Sequence, residues 1–319
     1  MQWPASAEIY GNSEDLAAVR EKIALIANTI GKYEPVTLLV RPDQKARASA
    51  SLNGNVSTLA LPVDDLWARD SGPTFVVNVS GLLAVSDLNF NGWGEAQEHG
   101  NDSKIAVRMA EHLGLPHIVT SVVGEAGGVE HDSDGTLLAH ASSWVNANRN
   151  TGSADEIAKA LCDALGAEKM IWAPGLSGQD ITDYHIDALA RFVAPGRVLI
   201  QLPAKRDTSD PWASAAYQTY DILKSATDAK GRKLEVIMLP EPQDIRVTDE
   251  DFVASYVNYY VCNGAVISAE FGDDRADAKA AEVLKQLYPG RKIVSLNIDA
   301  IGQSGGGIHC ATQQIPKSA

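Results

Sequence analysis

Cysteine is scarce in this 319-residue chain, and the three residues present, Cys162, Cys262 and Cys310, are too few and too scattered for a disulfide framework or a thiolate metal site. Cys162 falls on the apolar face of a helical pattern and Cys262 inside an apolar strand, so both are expected to be buried and inert. Long apolar runs are missing as well: no stretch approaches the ~18 residues needed to span a bilayer. Met1-Gln2-Trp3-Pro4 has no basic region ahead of an apolar run, so nothing marks export and the expected location is the cytoplasm. Positive charge is in short supply, with 27 Lys and Arg against 41 Asp and Glu and a net charge of −14. Phosphates would be repelled over most of such a surface, which argues against nucleic-acid or membrane partners and mildly favours a cationic one.

What is present is an ordinary globular composition, 45% hydrophobic and 21% charged. Apolar residues at steps of three and four predict a helix over 12–30 (Leu16, Val19, Ile23, Ile26, Ile30) with Asn12 and Asp15 at its cap. A strand reads over Val36–Val40. Helices are expected again from about Asn101, from Ser153 with Glu156 in capping-box spacing, over about 211–226, and over about 274–288. Each is followed by a strand: Ile118–Val123, Met170–Trp172, Leu234–Leu239 and Lys292–Leu296. Between these pairs lie Phe75–Asn78 with Leu82–Asp87, Thr136–His140, Val198–Leu202, and Tyr256–Cys262 with Ala265–Ala269 across Asn263-Gly264. Helix then strand recurs five times, at intervals of roughly 50 to 90 residues. The hairpins fit poorly into a doubly wound parallel sheet, and no stretch reads as a linker. A closed ring of five α/β units, one domain over residues 1–319, is the better expectation.

In such a ring the loops leaving the parallel strands converge. They contain Trp67-Ala68-Arg69-Asp70-Ser71-Gly72-Pro73, then Glu125-Ala126-Gly127-Gly128-Val129-Glu130, then Asp180–Asp187, and finally Gly305-Gly306-Gly307-Ile308-His309-Cys310. The fourth loop, Pro240 to Arg246, carries no obvious reactive group. A cysteine after three glycines is a thiol with open access, and His185 with Asp187 two positions on would point to one side of an extended segment. Thiol, histidine and carboxylates together suit nucleophilic catalysis with acid–base assistance. Each residue taken alone also has a bland reading: a glycine turn, a structural histidine, a surface Arg69–Asp70 pair. Metal binding is disfavoured because no second histidine stands at ligand spacing.

Trp67–Pro73, Phe90-Asn91-Gly92-Trp93-Gly94, Asp180-x-Thr182-Asp183-x-His185-x-Asp187 and Gly305–Cys310 with Thr312-Gln313-Gln314 resemble the agmatine deiminase and Porphyromonas-type peptidylarginine deiminase family. The resemblance runs through nearly the whole chain in the family's order and includes Asn148-Arg149-Asn150 and Tyr256-Val257-Asn258. It implies a five-bladed α/β-propeller (pentein) with pseudo-five-fold repeats around a central active site. It also implies Cys310 as nucleophile, His185 as general acid and base, and Asp70 and Asp187 as the grip on a guanidinium group. Glu125, Trp93, Trp67 and Glu130 are implied as further substrate-site residues. Ala126 and Tyr184 stand where the family usually or often has glycine, and Gly307 where it often has asparagine. Tyr184, beside His185, is therefore expected to bear on substrate preference.

The chemistry wants these residues. A guanidinium ion is planar and charged, and two carboxylates can accept paired N–H bonds along its edges and aim its carbon at sulfur. The glycines before Cys310 are expected to let that plane lie close to the backbone. The implied activity is hydrolytic deimination of a small guanidino compound, agmatine to N-carbamoylputrescine and ammonia, which belongs to putrescine and polyamine metabolism. It runs through a covalent thiouronium and needs no cofactor or metal. Deimination of free or peptidyl arginine is the alternative within that chemistry. A cysteine amidase or an inactive binding protein are alternatives of another class, and a homo-oligomer is compatible with the sequence.

Overall fold

The structure, a computed structural model, describes residues 1–249 and 251–317. Helix α1 (Ser13–Ile30) leads to β1 (Val36–Val40), which pairs in parallel with β2 (Val56–Ala60), while Gln2 bridges in parallel to Leu39 on β1. The side chain of Asn12 accepts from the amides of Glu14 and Asp15, the cap expected for α1.

From there one order recurs four times: two antiparallel strands, a helix, and a third strand parallel to the second. The second sheet has β3 (Thr74–Val77), β4 (Leu83–Asp87), α2 (Ile105–Leu113) and β5 (His117–Val119). Next come β6 (Val129–His131), β7 (Thr136–His140), α3 (Ala154–Leu165) and β8 (Lys169–Ala173). The fourth sheet has β9 (Ala190–Ala194), β10 (Arg197–Leu202), α4 (Pro211–Ser225) and β11 (Glu235–Pro240). The fifth has β12 (Tyr260–Cys262), β13 (Ala265–Glu270), α5 (Asp274–Leu287) and β14 (Lys292–Asn297). The helix is what makes each parallel pair possible, since a tight turn cannot return a chain in the same direction. Among the described residues, those of 1–68 with 241–313 pack as one compact unit and those of 69–240 with 314–317 as another.

Burial explains why the middle strands are near-continuous apolar runs instead of alternating ones. In β7 every residue is buried, and Val198, Leu199, Ile200, Ala265, Val266 and Ile267 have no exposed surface at all. Around β10, Ile186, Leu189, Phe192, Ala215, Ala216 and Leu223 close one core. Leu137, Ala139, Trp144, Ile157 and Leu161 close another around β7. Outer strands such as β5 and β11 alternate or expose their residues.

All five helix–strand pairs read from the sequence are present. Three strands missed there, β2, β6 and β9, are short or only partly buried and lack a strong apolar period. The run Tyr256–Cys262 is a strand only from Tyr260, because Tyr256, Val257 and Tyr259 are buried within a loop and their apolar character serves packing there. Cys262 is buried as expected, whereas Cys162 is only half-buried. Among the described residues no helix is long and apolar enough to cross a membrane.

The α3 capping box is complete: Ser153 Oγ accepts from the Glu156 amide at 3.3 Å, and the Glu156 carboxylate accepts from the Ser153 amide at 2.9 Å. Ser153→Ala removes one half of it and should cost about 1 kcal/mol, read as a lower urea midpoint by circular dichroism, with β7 and β8 losing part of their cover.

Candidate active site

Asp70, Glu125, His185, Asp187 and Cys310 lie in segments that follow the parallel strands, the edge where open α/β sheets commonly bind ligands, while Glu130 lies on β6 itself. Asp70 precedes β3, Glu125 precedes β6 through a 3-10 turn over Ala126–Gly128, and His185 and Asp187 precede β9 in and beside another over Ile186–Ala188. Their side chains are nearly solvent-free, with Asp70 6%, Glu125 1%, His185 4% and Asp187 0% exposed. Gly127 marks where they meet. A methyl group placed on its Cα would stand 2.6 Å from Asp70 Oδ1, 2.8 Å from His185 Nδ1 and 3.3 Å from Asp187 Oδ2. Glycine is required there because the three side chains already occupy the space.

His185 Nε2 lies 3.1 Å from Glu125 Oε2, and Nδ1 lies 3.7 Å from Asp70 Oδ1. Burial by itself would drive the imidazole toward neutrality. The carboxylates of Asp70, Glu125 and Asp187 outweigh it and raise His185 to about 9. Burial pushes Asp187 up, opposed by His185 and reinforced by Asp70. Asp70 is likewise raised by burial, although His185 opposes the shift. Asp70 is held by two further donors, the Trp93 indole N–H to Oδ2 at 3.0 Å and the Gly127 amide to Oδ1 at 3.2 Å. At neutral pH His185 is thus a charged acid with a proton to give.

Behind this set stands a residue to which sequence reading gave no role. The Arg149 side chain has no exposed surface, and its Nε donates to both Glu125 oxygens at 3.0 Å while Nη1 donates to Asp183 Oδ2 at 2.9 Å. Asp183 also accepts from Asn148 Nδ2, Ser177 Oγ and the Gly178 amide. That anchoring matters because Asp183 and Tyr184, just before His185, both have left-handed backbone (φ 57° and 70°), which L-residues adopt only when their surroundings compel it. Ser142 and Ser143 donate to the Asp183 carbonyl, and buried His140 donates Nδ1–H to the Tyr184 carbonyl. The Tyr184 ring packs in the β10 core against His140 and edge-on to Trp212. It secures the loop from within the core, immediately before His185. Glu130 accepts from Arg191 Nε at 2.8 Å, and both charges are felt at Asp187.

Cys310 is supported separately. Asn258 Nδ2 donates to its Sγ at 3.1 Å, and Asn258 Oδ1 accepts from the amides of His309 at 2.9 Å and Cys310 at 3.3 Å. A methyl on Gly306 would collide with the Trp67 ring, and one on Gly307 with the Asn258 amide. These two glycines therefore let the turn sit against Trp67 and Asn258. The fourth loop, read from sequence as Pro240 to Arg246, runs on to Tyr259 and carries Asn258 two residues before β12. The signal was available: the loops of Asp70, Glu125 and His185 also carry their polar residues three to five positions before the first strand of a sheet. Among the described residues no group of three or more His, Cys, Asp or Glu side chains is placed to hold a metal ion.

Replacing Arg149 by Met would leave Glu125 and Asp183 buried without their shared cation. That should cost about 3–5 kcal/mol in urea unfolding, far more than loss of a surface pair. His185 is easier to protonate folded than unfolded, so its contribution to stability is fully present below about pH 6.5 and is lost as pH rises through about 9. The urea midpoint should fall between pH 7 and 10, and His185→Gln should flatten that fall.

Comparison with known proteins agrees with these features. The profile of the Porphyromonas-type peptidyl-arginine deiminase family matches residues 1–316. A "Putative agmatine deiminase" of Streptomyces coelicolor is 36% identical over 327 residues, covering 100% of this chain and 95% of its own. One of the same name from Legionella pneumophila is 35% identical over 322 residues, covering 100% and 91%. Among solved structures, the agmatine deiminase of Enterococcus faecalis superposes with a TM-score of 0.91 at 29% identity, covering 100% of this chain and 93% of that one. A dimethylarginine dimethylaminohydrolase, at 14% identity and a TM-score of 0.51, shares the fold. The five small mixed sheets are thus those of the five-bladed α/β-propeller, and the chain belongs to the agmatine deiminase and Porphyromonas-type peptidylarginine deiminase family as a hydrolase of the agmatine deiminase type.

Proposed function

We propose that this chain hydrolyses agmatine to N-carbamoylputrescine and ammonia, with residues 1–319 acting as one catalytic domain. The observation that carries the reading is the convergence of Asp70, His185 and Asp187 on Gly127, a buried set rich in negative charge with one charged acid within it. Such a set suits a planar cation that must also receive a proton. The names of the full-length relatives support agmatine as the guanidino compound.

Asp70 and Asp187 accept the N–H bonds of the guanidinium group and fix its plane. The Cys310 thiolate adds to the carbon, giving a tetrahedral adduct. His185 gives its proton to the departing nitrogen, which leaves as ammonia while the C–S bond remains in a thiouronium. A water then adds to that carbon, one of its protons passing to His185, and the C–S bond breaks to release the ureido product and the thiolate, the remaining hydroxyl proton leaving to the departed ammonia or solvent. Glu125 keeps His185 charged for the first transfer, and Trp93 keeps Asp70 in line. Trp67, packed against the Gly306 backbone, and Glu130, paired with Arg191, complete the lining of the substrate site in this reading.

Incubation with agmatine should yield ureido product and ammonia in equal amounts. Asp70→Asn should lower kcat/KM by at least ~10²-fold, because one side of the grip loses its charge. A cysteine amidase would keep its activity in that variant. Absence of product with agmatine, free arginine and arginyl peptides alike would sink the proposal.

A further inference from the structure

We infer that Asn258 is a catalytic residue of this chain, the donor that holds Cys310 as its thiolate in the free enzyme. The inference rests on Cys310 being the nucleophile of the reaction proposed above. It stands on geometry in one loop pair: Asn258 is 1% exposed, and its carboxamide lies against the turn that ends in Cys310.

The orientation of that carboxamide is fixed by chemistry. Its Oδ1 faces the backbone amides of His309 and Cys310, which can only donate, so the oxygen must be the atom that meets them. The NH2 group is thereby turned to Sγ, 3.1 Å away. A carboxamide held in this way cannot rotate to accept an S–H proton. It can only donate, and a donor facing sulfur favours the charged form, which is the stronger acceptor. The thiolate is also the form that attacks carbon. One more contact completes the lock: the Asn258 carbonyl accepts from the His309 amide at 3.2 Å, tying backbone to backbone at the same point. Gly307 leaves room for it, because a side chain at that position would occupy the place of Oδ1.

Asn258 therefore combines two tasks in one planar group. Its oxygen shapes the nucleophile turn and its nitrogen charges the nucleophile. Separating the tasks gives the test. Asn258→Asp keeps an oxygen for the two amides but replaces the donor with an acceptor. Asn258→Leu removes both.

The readout is the pH dependence of Cys310 carboxamidomethylation by iodoacetamide, followed on the Cys310 peptide by mass spectrometry and without substrate. The midpoint should move upward by at least one pH unit in Asn258→Asp, a tenfold fall in the ratio of thiolate to thiol at a given pH, and upward also in Asn258→Leu. Deimination by Asn258→Asp should regain part of its rate as the pH is raised, which a merely misshapen turn would not do. An unmoved or lowered midpoint in Asn258→Asp overturns the inference. In the wild-type protein the assigned side-chain 15N resonance of Asn258 should titrate with the alkylation midpoint, and a resonance flat through that range overturns it too, whether or not the variants fold. The alkylation result is independent of turnover. Failure to form ureido product from any guanidino substrate would therefore remove the deiminase reading while leaving the state of the thiol decided on its own.

Discussion

Mutual dependence of buried charges is the constraint on which the described site rests. Asp70, Glu125, Asp187 and His185 have almost no contact with solvent, and none of them is stable there alone. Taking a single carboxylate out of water costs several kcal/mol, and the cost is offset only when a cation and directed donors replace the lost hydration. His185 supplies the first cation and Arg149 the second, with Trp93 and the Gly127 amide filling the remaining directions on Asp70. The arrangement is thus a set of charges that can all be present only because each is placed against the next. A second cation entering near Asp70 would compete with His185 for the same charge, which is how binding of a guanidinium group would ready the histidine to release its proton.

Rigid backbone makes this placement precise. The middle strands are dry on both faces, so the strand ends from which the loops depart are fixed by core packing. The loops are then held by side chains more than by ladders. Asp183 and Tyr184 keep a strained left-handed path because two serines, a histidine and an arginine hold them. In this loop the strain falls on the two residues that set the direction of His185.

Much of this was legible in the sequence, for reasons that differ by residue. Helices showed through capping boxes and three-four periodicity, and middle strands through apolar runs, because burial imprints itself on composition. Asp70, His185, Asp187 and Cys310 stood out as reactive groups in glycine- or aspartate-rich loops. Arg149 and Asn258 did not, although both lay within motifs that resembled the family. Arg149 serves through ion pairs to residues 24 and 34 positions away, and Asn258 through contacts 51 and 52 positions away. Nothing local distinguishes such residues from packing neighbours. Tyr184 neighbours His185 in sequence, and only the structure shows that its ring packs into the core against His140 and Trp212.

Gly127 carries a wider lesson about how such a site can change over generations. It offers no acid, base or nucleophile, yet even a methyl group at its Cα would intrude on Asp70, His185 and Asp187 at once. A reactive residue can be exchanged for a weaker one and leave a slower enzyme from which selection can proceed. At Gly127 even the smallest side chain would force Asp70 and His185 to shift and would crowd Asp187. A position with no functional group is then constrained by the charged residues around it, and a lineage that enlarged it would have to move those residues as well.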